Sequence, residues 1–344
     1  MKAMVLKAPN TPFVLEDRPI PVPGPGEAVC KILACGAGLT IEHARAGRAP
    51  ANFPLVIGHE ITAVISAVGP GVDNVKEGDA VTAHFYITCG RCKWCLINRE
   101  TLCESFTGYI GRQVDGAYAE YMKLPARNYI HIPKALDYRK NAAEVSVICD
   151  AIATPYKVIK RARIAPLENV AVIGAGGGVG IHMVALARWA KARVIAVDVS
   201  AQKLGKCRDM GAHDVVDASQ GKVAEALLEL TGGKGLDVAV DFVSSAGTLG
   251  EAVKALGRGG RLVTLGGAGQ KAFEASQRDM VNKELELMGS RYCSKQELIE
   301  SLELVARGDF WPLVTETYKL EEVEKVHQRL AAGAITGRAA VVMD

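Results

Sequence analysis

The sequence predicts an α/β protein of two domains, one β-rich and barrel-like and one built on a doubly wound parallel sheet. A chain of 344 residues is too long for one ordinary hydrophobic core. Its first part, to about residue 135, alternates short apolar runs with proline and glycine, which is typical of strands and turns. From about residue 150, strand patterns alternate with helix patterns, which favours a parallel sheet covered by helices.

Individual segments support this division of the chain. The runs FVLEDRPIPVPGPGEAVCKIL and AVISAVGPGVDNVKEGDAVTA carry the β pattern of the first part. Later strands are predicted in ENVAVIG, VIAVDVS, LDVAVDFVSS, GRLVTLGG and LELMGSR, with helical runs between them. The tail, from about residue 290, predicts helices in SKQELIESLELVARGD and LEEVEKVHQRLAAGA and a last strand in GRAAVVMD.

The composition is that of a soluble globular protein, with 49% hydrophobic and 23% charged residues. Lys and Arg number 41 and Asp and Glu 38, so the charge gives no reason to expect nucleic acid or an anionic membrane as a partner. The N-terminal MKAMVLKAPNTPF lacks the pattern of a signal peptide, and no stretch is apolar enough for a transmembrane helix. We therefore expect a cytoplasmic protein.

A glycine turn between a predicted strand and a predicted helix indicates a dinucleotide site. Such a turn lets the backbone approach a pyrophosphate, whose charge the N–H groups at the start of the helix then face. The candidate cofactor-binding residues in this turn are Gly174, Gly176, Gly177, Gly178 and Val179. With Gly180, the segment contains one glycine more than the usual motif requires. The sequence therefore does not decide which glycine stands at which position of the motif. A glycine-rich turn that binds nothing is the alternative.

Asp198 ends the strand that follows this helix. An acidic residue there accepts hydrogen bonds from the ribose hydroxyls of NAD and repels the additional phosphate of NADP. Lys203 lies nearby and could accommodate a phosphate. NAD is therefore the favoured cofactor.

Four cysteines lie within fifteen residues in TCGRCKWCLINRETLC. Their spacing is C-x2-C-x2-C-x7-C, and four thiolates so close together can surround one zinc ion without distant ligands. Such a site has no open position for substrate, so it predicts a structural zinc. The alternatives are free or disulfide-bonded cysteines and an iron–sulfur centre. The four candidate ligands are Cys89, Cys92, Cys95 and Cys103.

These motifs together resemble the zinc-containing medium-chain alcohol dehydrogenases, over essentially the whole chain. The resemblance is carried by PGPGE, GHE, GVDNVKEGDAV, the cysteine segment, DGAYAEY, the glycine turn with Asp198, and GRAAVV. It implies a GroES-like catalytic domain of residues 1–150 and 290–344 and a Rossmann NAD-binding domain of residues 151–289. It also implies a homodimer or homotetramer, with the tetramer favoured.

In that family a catalytic zinc polarises the substrate oxygen. Its ligands are a cysteine, the histidine of GHE, and a cysteine or aspartate just before the cofactor domain. This chain keeps His59, Glu60 and Asp150 but has Gly38 where the cysteine belongs. Ile41 replaces the acidic residue that orients the histidine ligand, and an alanine, Ala63, replaces a customary glycine after GHE.

The state of this metal site is left open by the sequence. Cys35 or Cys149 could supply the missing thiolate. His59, Glu60 and Asp150 could instead hold zinc by nitrogen and oxygen ligands alone. A third interpretation, slightly favoured, is that the three residues bind no metal.

The resemblance also assigns a proton relay. Thr40 corresponds to the hydroxyl that touches the substrate oxygen, and His43 to the histidine that passes protons to solvent. Thr154 is expected to line the nicotinamide pocket, and Arg338 to meet the cofactor pyrophosphate. An ordinary turn hydroxyl and a surface arginine are the alternatives for Thr40 and Arg338. The remaining histidines singled out, without an assigned role, are His131, His182, His213 and His327.

Three functions follow as hypotheses. The first is an NAD-dependent oxidoreductase that interconverts an alcohol and its ketone or aldehyde by direct hydride transfer, with or without a catalytic zinc. Its candidate catalytic residues are Thr40, His43, His59, Glu60 and Asp150. The second is a zinc-independent reductase of a conjugated carbon–carbon double bond, which the loss of the ligand at Gly38 favours. The third is a non-catalytic NAD-binding or redox-sensing protein.

Overall fold

A computed structural model describes residues 1–266 and 272–343. The chain forms two compact units, one of Met1–Ala153 with Cys293–Asp344 and one of Thr154–Tyr292. Gly267 and Asp344, the last residues of the predicted strand segments GRLVTLGG and GRAAVVMD, lie outside the described residues. None of the helices found in residues 1–266 and 272–343 has the length and apolar character that crossing a membrane requires.

The elements are numbered along the chain. The strands are β1 Lys2–Leu6, β2 Phe13–Asp17, β3 Glu27–Ala37, β4 Leu55–Val56, β5 Glu60–Val68, β6 Ala80–Ala83, β7 Tyr86–Ile87, β8 Gly108–Tyr109, β9 Tyr121–Pro125, β10 Tyr129–His131, β11 Asn169–Ile173, β12 Arg193–Asp198, β13 Asp214–Asp217, β14 Leu236–Asp241, β15 Leu256–Thr264, β16 Glu286–Gly289, β17 Val314–Lys319 and β18 Arg338–Val342. The α-helices are α1 Leu39–Arg45, α2 Lys93–Leu96, α3 Ala142–Ser146, α4 Ala153–Ala162, α5 Gly180–Trp189, α6 Ala201–Asp209, α7 Val223–Leu230, α8 Ala246–Ala255, α9 Gln277–Lys283, α10 Lys295–Ala306 and α11 Val323–Ala331.

The first unit is built on a seven-stranded sheet in the order β10-β6-β5-β3-β18-β17, with β9 also paired to β3. A three-stranded sheet, β2-β1-β4, and the pair β7-β8 complete its β-structure. The register places Gly36 of β3 opposite both Glu60 of β5 and Ala340 of β18. The end of β3 and the starts of β5 and β18 therefore lie side by side, and they position the site described below.

The second unit contains a six-stranded sheet in the order β13-β12-β11-β14-β15-β16, with every pairing parallel. Counted from its first strand this order is 3-2-1-4-5-6, the doubly wound arrangement of dinucleotide-binding domains. Its central strand β11 (NVAVI) is apolar and buried from Val170 to Ile173, as expected for a parallel strand inside a sheet. The predicted fold class is therefore confirmed.

Helix starts follow local sequence rules. Ser294 caps α10, accepting from the backbone N–H of Glu297, while the Glu297 side chain accepts from the backbone N–H of Ser294. Two otherwise unsatisfied donors are thus bonded, which explains why the predicted helix begins after Ser294.

Candidate active site, cofactor site and metal lobe

The four sulfur atoms of the cysteine lobe, which comprises Cys89, Cys92, Cys95 and Cys103, lie close together. The Sγ–Sγ distances are 4.0 Å from Cys89 to Cys95, 3.6 Å from Cys92 to Cys95 and 3.6 Å from Cys103 to Cys89. A tetrahedral zinc with Zn–S bonds of about 2.3 Å has sulfur–sulfur edges of about 3.8 Å. The lobe therefore fits a zinc ion with four thiolate ligands.

Backbone donors in the lobe favour thiolates. The N–H of Cys92 donates to Cys89 Sγ at 3.4 Å, and the N–H of Cys89 donates to Cys103 Sγ at 3.3 Å. Backbone N–H groups of Glu104 and Cys95 lower the pKa of the Cys92 thiol to about 6. Burial instead raises the pKa of Cys95 to about 12, so a full set of thiolates needs a cation. All nine cysteines are free thiols, which excludes the disulfide alternative in this structure.

The dinucleotide turn joins β11 to α5, and its geometry settles the register of the glycines. Gly174 has φ of 76°, a conformation that glycine adopts without strain. A Cβ on Gly180 would lie 2.9 Å from Ala175 Cα and closer still to the Gly174 carbonyl oxygen. Gly174 thus makes the tight turn and Gly180 the close packing of helix on strand, and the segment between them is left without large side chains.

Asp198 ends β12 beside this turn. Its Oδ2 accepts from the N–H of Gly176 at 2.8 Å and its Oδ1 from the N–H of Ser200 at 3.1 Å. Lys203 lies against the same turn, since a Cβ on Gly176 would lie 2.8 Å from Lys203 Cδ. The turn, the carboxylate and the lysine that the sequence singled out are thus neighbours. Thr154, buried in α4, is the first residue of the same unit.

Helix α1 carries the two candidate relay residues, Thr40 and His43, in the first unit. Residues three apart in a helix share a face. His43 Nδ1 is buried and has no hydrogen-bond partner among the described residues. Burial lowers the pKa of His43, and the charge of Arg48 lowers it further, so the imidazole is held neutral.

His59, Glu60 and Asp150, called the trio below, form a buried cluster. One ligand atom from each lies within 4.8 Å of the others. Glu60 is the first residue of β5 and His59 directly precedes it, and Asp150 lies in a π-helical turn, Ile148–Ile152, before α4. His59 Nε2 lies 3.4 Å from Asp150 Oδ2, and the His59 ring packs on Phe85 with the ring centres 4.4 Å apart. The structure therefore brings together the three residues that the sequence grouped.

Arg338, the first residue of β18, lies in the same cluster. Its Nη2 donates to Glu60 Oε1 at 2.6 Å and to Asp150 Oδ2 at 3.1 Å. The residue is 5% exposed, so it is not the surface arginine of the alternative interpretation. These contacts had no signal in the sequence. The expected contact with a cofactor pyrophosphate stays a prediction.

Glu60 is fully buried between these charges. Burial raises the pKa of its carboxyl to about 8, with Asp150 adding to the rise and Arg338 opposing it. Glu60 Oε2 has no hydrogen-bond partner among the described residues. A Cβ on Gly36 would lie 2.9 Å from Glu60 Cβ and closer still to Oε2. Gly36 therefore provides the space that the carboxyl group occupies.

Gly38, where the resemblance expects a cysteine ligand, immediately precedes α1 and adjoins Arg338. A Cβ on Gly38 would lie 2.5 Å from Arg338 Nη1, 2.8 Å from Cζ and 3.0 Å from Nη2. The guanidinium thus occupies the space of the absent side chain. Ile41, at the position of the absent acidic residue, is buried with 1% exposure.

Neither of the two candidate replacement thiols joins the trio. Cys35 Sγ contacts the Gly36 carbonyl oxygen at 3.5 Å, and Cys149 Sγ contacts the Ser146 carbonyl oxygen at 3.5 Å. Burial raises the pKa of both thiols, and the nearby Glu60 raises both further. Among the described residues, the metal-binding geometry around Asp150 includes the trio alone.

A catalytic zinc bound through the two carboxylate oxygens that Arg338 contacts does not fit this cluster as it stands. The two carboxylates of the trio already accept from Arg338 Nη2, at 2.6 and 3.1 Å. A zinc ion bonded to Glu60 Oε1 at about 2.1 Å would lie within about 5 Å of that nitrogen. Two cations at such a distance in a buried site repel each other strongly.

A second buried network was not foreseen from the sequence. Glu42 of α1 accepts from His327 Nδ1 at 2.8 Å and from Arg45 Nε at 2.7 Å. The other ring nitrogen of His327 lies 3.1 Å from the Tyr118 hydroxyl. His327 belongs to α11, 285 residues from Glu42, so no local pattern could indicate the contact.

Comparison with known proteins agrees with this architecture. Residues 24–134 match the alcohol dehydrogenase GroES-like domain, and residues 178–307 match the zinc-binding dehydrogenase domain. An alcohol dehydrogenase of Moraxella sp. is 36% identical over 348 residues, covering 100% of this chain and 99% of the relative. An NAD-dependent alcohol dehydrogenase of Sulfurisphaera tokodaii is 31% identical over 352 residues, covering 99% and 100%.

A solved structure shows the same fold. The crystal structure of the alcohol dehydrogenase from Aeropyrum pernix superposes with a TM-score of 0.90 at 32% identity, over 99% of this chain and 100% of the other. Fold and sequence matches together define a dehydrogenase with a GroES-like domain and a dinucleotide-type domain. The chain belongs to the zinc-binding alcohol dehydrogenase family.

Proposed function

We propose that the protein is an NAD-dependent oxidoreductase that interconverts a small alcohol and its ketone or aldehyde. The observation that carries the proposal is the dinucleotide turn, with Gly174 at φ 76° and the Gly176 N–H bonded to Asp198, in a chain of this family. We assign catalysis to residues 1–150 and 290–344 and cofactor binding to residues 151–289. The dimeric or tetrameric state and the cytoplasmic location remain expectations from the sequence.

The dinucleotide turn fits NAD. The glycines leave the backbone open to a pyrophosphate at the start of α5, where helix N–H groups favour an anion. The fixed carboxylate of Asp198 is suited to accept hydrogen bonds from ribose hydroxyls. The name of the Sulfurisphaera relative supports the choice of cofactor. Bound NAD(H) supplies or accepts the hydride.

The residues of α1 would move the proton. Thr40 would hold the substrate oxygen, and His43 would pass a proton between Thr40 and solvent through a ribose hydroxyl. The unpartnered Nδ1 of His43 supports this role, because a buried ring nitrogen without a partner is costly unless a bound molecule satisfies it. The neutral state of the imidazole suits it to accept the first proton in the oxidation direction.

The cysteine lobe would hold one structural zinc. Its sulfur geometry fits a tetrahedral ion, and a site closed by four thiolates takes no part in the reaction. The ion would stabilise the irregular segment between β7 and β8, which contains the short α2 and a 3₁₀ turn, Glu100–Leu102.

The proposal is tested with purified protein and NADH, using a panel of ketones and aldehydes together with a conjugated enone. We expect oxidation of NADH with formation of the alcohol, and reduction of NAD in the reverse direction. Product analysis of the enone separates the alternatives, since loss of the alkene with the carbonyl intact would show the double-bond reductase instead.

A binding measurement accompanies the assay. NADH binding observed by nicotinamide fluorescence, without turnover of any carbonyl or enone, would support the non-catalytic interpretation. The absence of both binding and turnover would contradict the proposed function as a whole.

A further inference from the structure

We propose that Arg338 is the resident cation of the trio, in place of a metal ion, and that its guanidinium polarises the substrate oxygen. The inference deepens the proposed function and rests on it for the identity of the reaction. It gives Arg338 a different role from the contact with the cofactor pyrophosphate that the resemblance predicted. It also accounts for the loss of a metal ligand at position 38.

The first support is the bonding of the guanidinium. One nitrogen, Nη2, bridges the carboxylates of Glu60 and Asp150 at 2.6 and 3.1 Å. Asp150 Oδ2 also lies 3.4 Å from His59 Nε2, so all three members are linked directly or indirectly to the arginine. Arg338 thus supplies positive charge to the same two carboxyl groups that a metal at the trio would have as ligands.

The second support is Gly38. A side chain at this position would begin 2.5 Å from Arg338 Nη1 and 2.8 Å from Cζ, distances that no real Cβ tolerates against a buried group. The side chain of Arg338 is 6% exposed and has little room to withdraw. Glycine at 38 therefore leaves the space in which this guanidinium lies, and a cysteine at that position would require the guanidinium to move.

The third support is the donors that Arg338 leaves unused. Nε is buried without a partner among the described residues, while the hydrogen bonds to Glu60 and Asp150 are both made by Nη2. A guanidinium carries five N–H donors and keeps its charge at all physiological pH values. Nη1 lies beside Gly38, two residues before Thr40. We therefore place the substrate oxygen between Nη1 and the Thr40 hydroxyl.

The step balances without a metal. In reduction, the carbonyl carbon gains the hydride that NADH supplies, and the π electron pair of the C=O bond moves to the oxygen. Nη1 donates hydrogen bonds to the developing negative charge, and Arg338 keeps all its protons. The oxygen then takes a proton from Thr40, which His43 replaces from solvent. The products are the alcohol and NAD.

The metal content of the intact protein is the first measurement. We expect about one zinc per chain, lost with Cys103→Ser and unaffected by His59→Ala. Arg338→Ala should expose the trio and add a second site, for which Co²⁺ with its visible absorption is the probe. Arg338→Ala combined with His59→Ala should lose that site again. Two zinc ions in the wild type, with one lost on His59→Ala, would overturn the proposal.

Arg261→Ala is the matched control for removing a buried arginine. Arg261 is 8% exposed, belongs to the second unit and pairs with Glu168. It should leave the metal content at one per chain. If Arg338→Ala fails to fold, Arg338→Lys can be used instead. It keeps the positive charge without the planar set of guanidinium donors, and it should bind no second metal ion. A folded Arg338→Ala that takes up no Co²⁺ would refute the exclusion of metal by the arginine.

Kinetics test the catalytic part. Arg338→Lys should lower kcat by about 10²–10³-fold with a smaller change in KM, because the lost donor acts on charge that develops in the transition state. Guanidinium ion at sub-denaturing concentration should partly restore the activity of Arg338→Ala. Values of kcat within threefold of the wild type for Arg338→Lys would remove the catalytic role.

The two proposals fail in different ways. If no NAD-linked turnover of any carbonyl is found, the proposed function falls while the metal counts still decide whether Arg338 excludes a metal. If turnover is found but is lost on mild chelation without unfolding, the proposed function stands and the role of Arg338 is disproved.

Discussion

Glu42 and His327 show how single residues control the stability of the first unit. Burial alone would raise the pKa of Glu42, but hydrogen bonds from His327 and Arg45 outweigh it and hold the pKa below its usual value. Burial lowers the pKa of His327 despite the neighbouring carboxylate. The native state therefore contains an anionic Glu42 and a neutral His327.

This pair predicts loss of stability on acidification. Below the pKa that histidine has in the unfolded chain, about 6.5, the unfolded chain binds a proton at His327 that the native protein does not bind. Below the pKa that glutamate has in the unfolded chain, the unfolded chain binds a second proton, at Glu42, because the pKa of Glu42 is lower in the native protein. Each proton contributes a slope of up to about 1.4 kcal/mol per pH unit. We expect the free energy of unfolding to fall from pH 7 to 5, less steeply in His327→Gln.

Denaturant unfolding of the first unit at several pH values measures the slope. His131→Gln is the control, because the side chain of His131 is 58% exposed. An unchanged slope in His327→Gln would mean that other groups take up the protons.

The dinucleotide turn shows how an element depends on the absence of side chains. Between β11 and α5, Gly174 supplies the positive φ and Gly180 allows the helix to approach the strand. The sequence motif predicted the turn, but it contains one glycine more than usual. The sequence therefore did not show which glycine makes the tight turn and which allows the helix to pack on the strand. The contacts of each hypothetical Cβ answer that question.

We predict that Gly180→Ala destabilises the second unit by about 1–3 kcal/mol or more, because the new methyl group meets backbone atoms that cannot move aside. Affinity for NADH should fall as well, since the start of α5 shifts. The measurements are thermal unfolding and a fluorescence titration with NADH.

Gly205→Ala is the matched control for this change. Gly205 lies in α6, with no atom within 4 Å of a hypothetical Cβ beyond the helix's own backbone. It should gain about 1 kcal/mol from helix propensity. Equal effects of the two substitutions would contradict the packing role of Gly180.

At the scale of the whole molecule, the zinc lobe and the dinucleotide turn belong to different compact units. We predict that Cys103→Ser removes the lobe zinc and lowers the melting temperature of the first unit, because metal binding contributes directly to folding there. The affinity for NADH should be nearly unchanged. Elemental analysis, calorimetry and a binding titration provide the three readouts.

Cys207→Ala serves as the control for losing a cysteine, because Cys207 is buried in α6 outside the lobe. It should keep the zinc content of the wild type. Zinc retained by Cys103→Ser would show that the ion is held elsewhere.

Local order in this protein could be predicted from the sequence, because the features involved are short. The four lobe cysteines, the glycine turn with Asp198, and each single repeat of strand and helix span no more than a few tens of residues. Their spacing alone carries the geometry. The resemblance to a family also grouped His59, Glu60 and Asp150, which lie close together in the structure.

Only the tertiary structure decided which positive charge lies beside the carboxyl groups of the trio. Arg338 is separated from Glu60 by 278 residues and from Asp150 by 188, and the register of β3, β5 and β18 brings them together. A buried charge takes its role from the groups around it, and no spacing in the sequence encodes those neighbours. In the sequence, Gly38 indicates only that a metal ligand is missing. In the structure, the guanidinium of Arg338 fills the space that a side chain at position 38 would occupy.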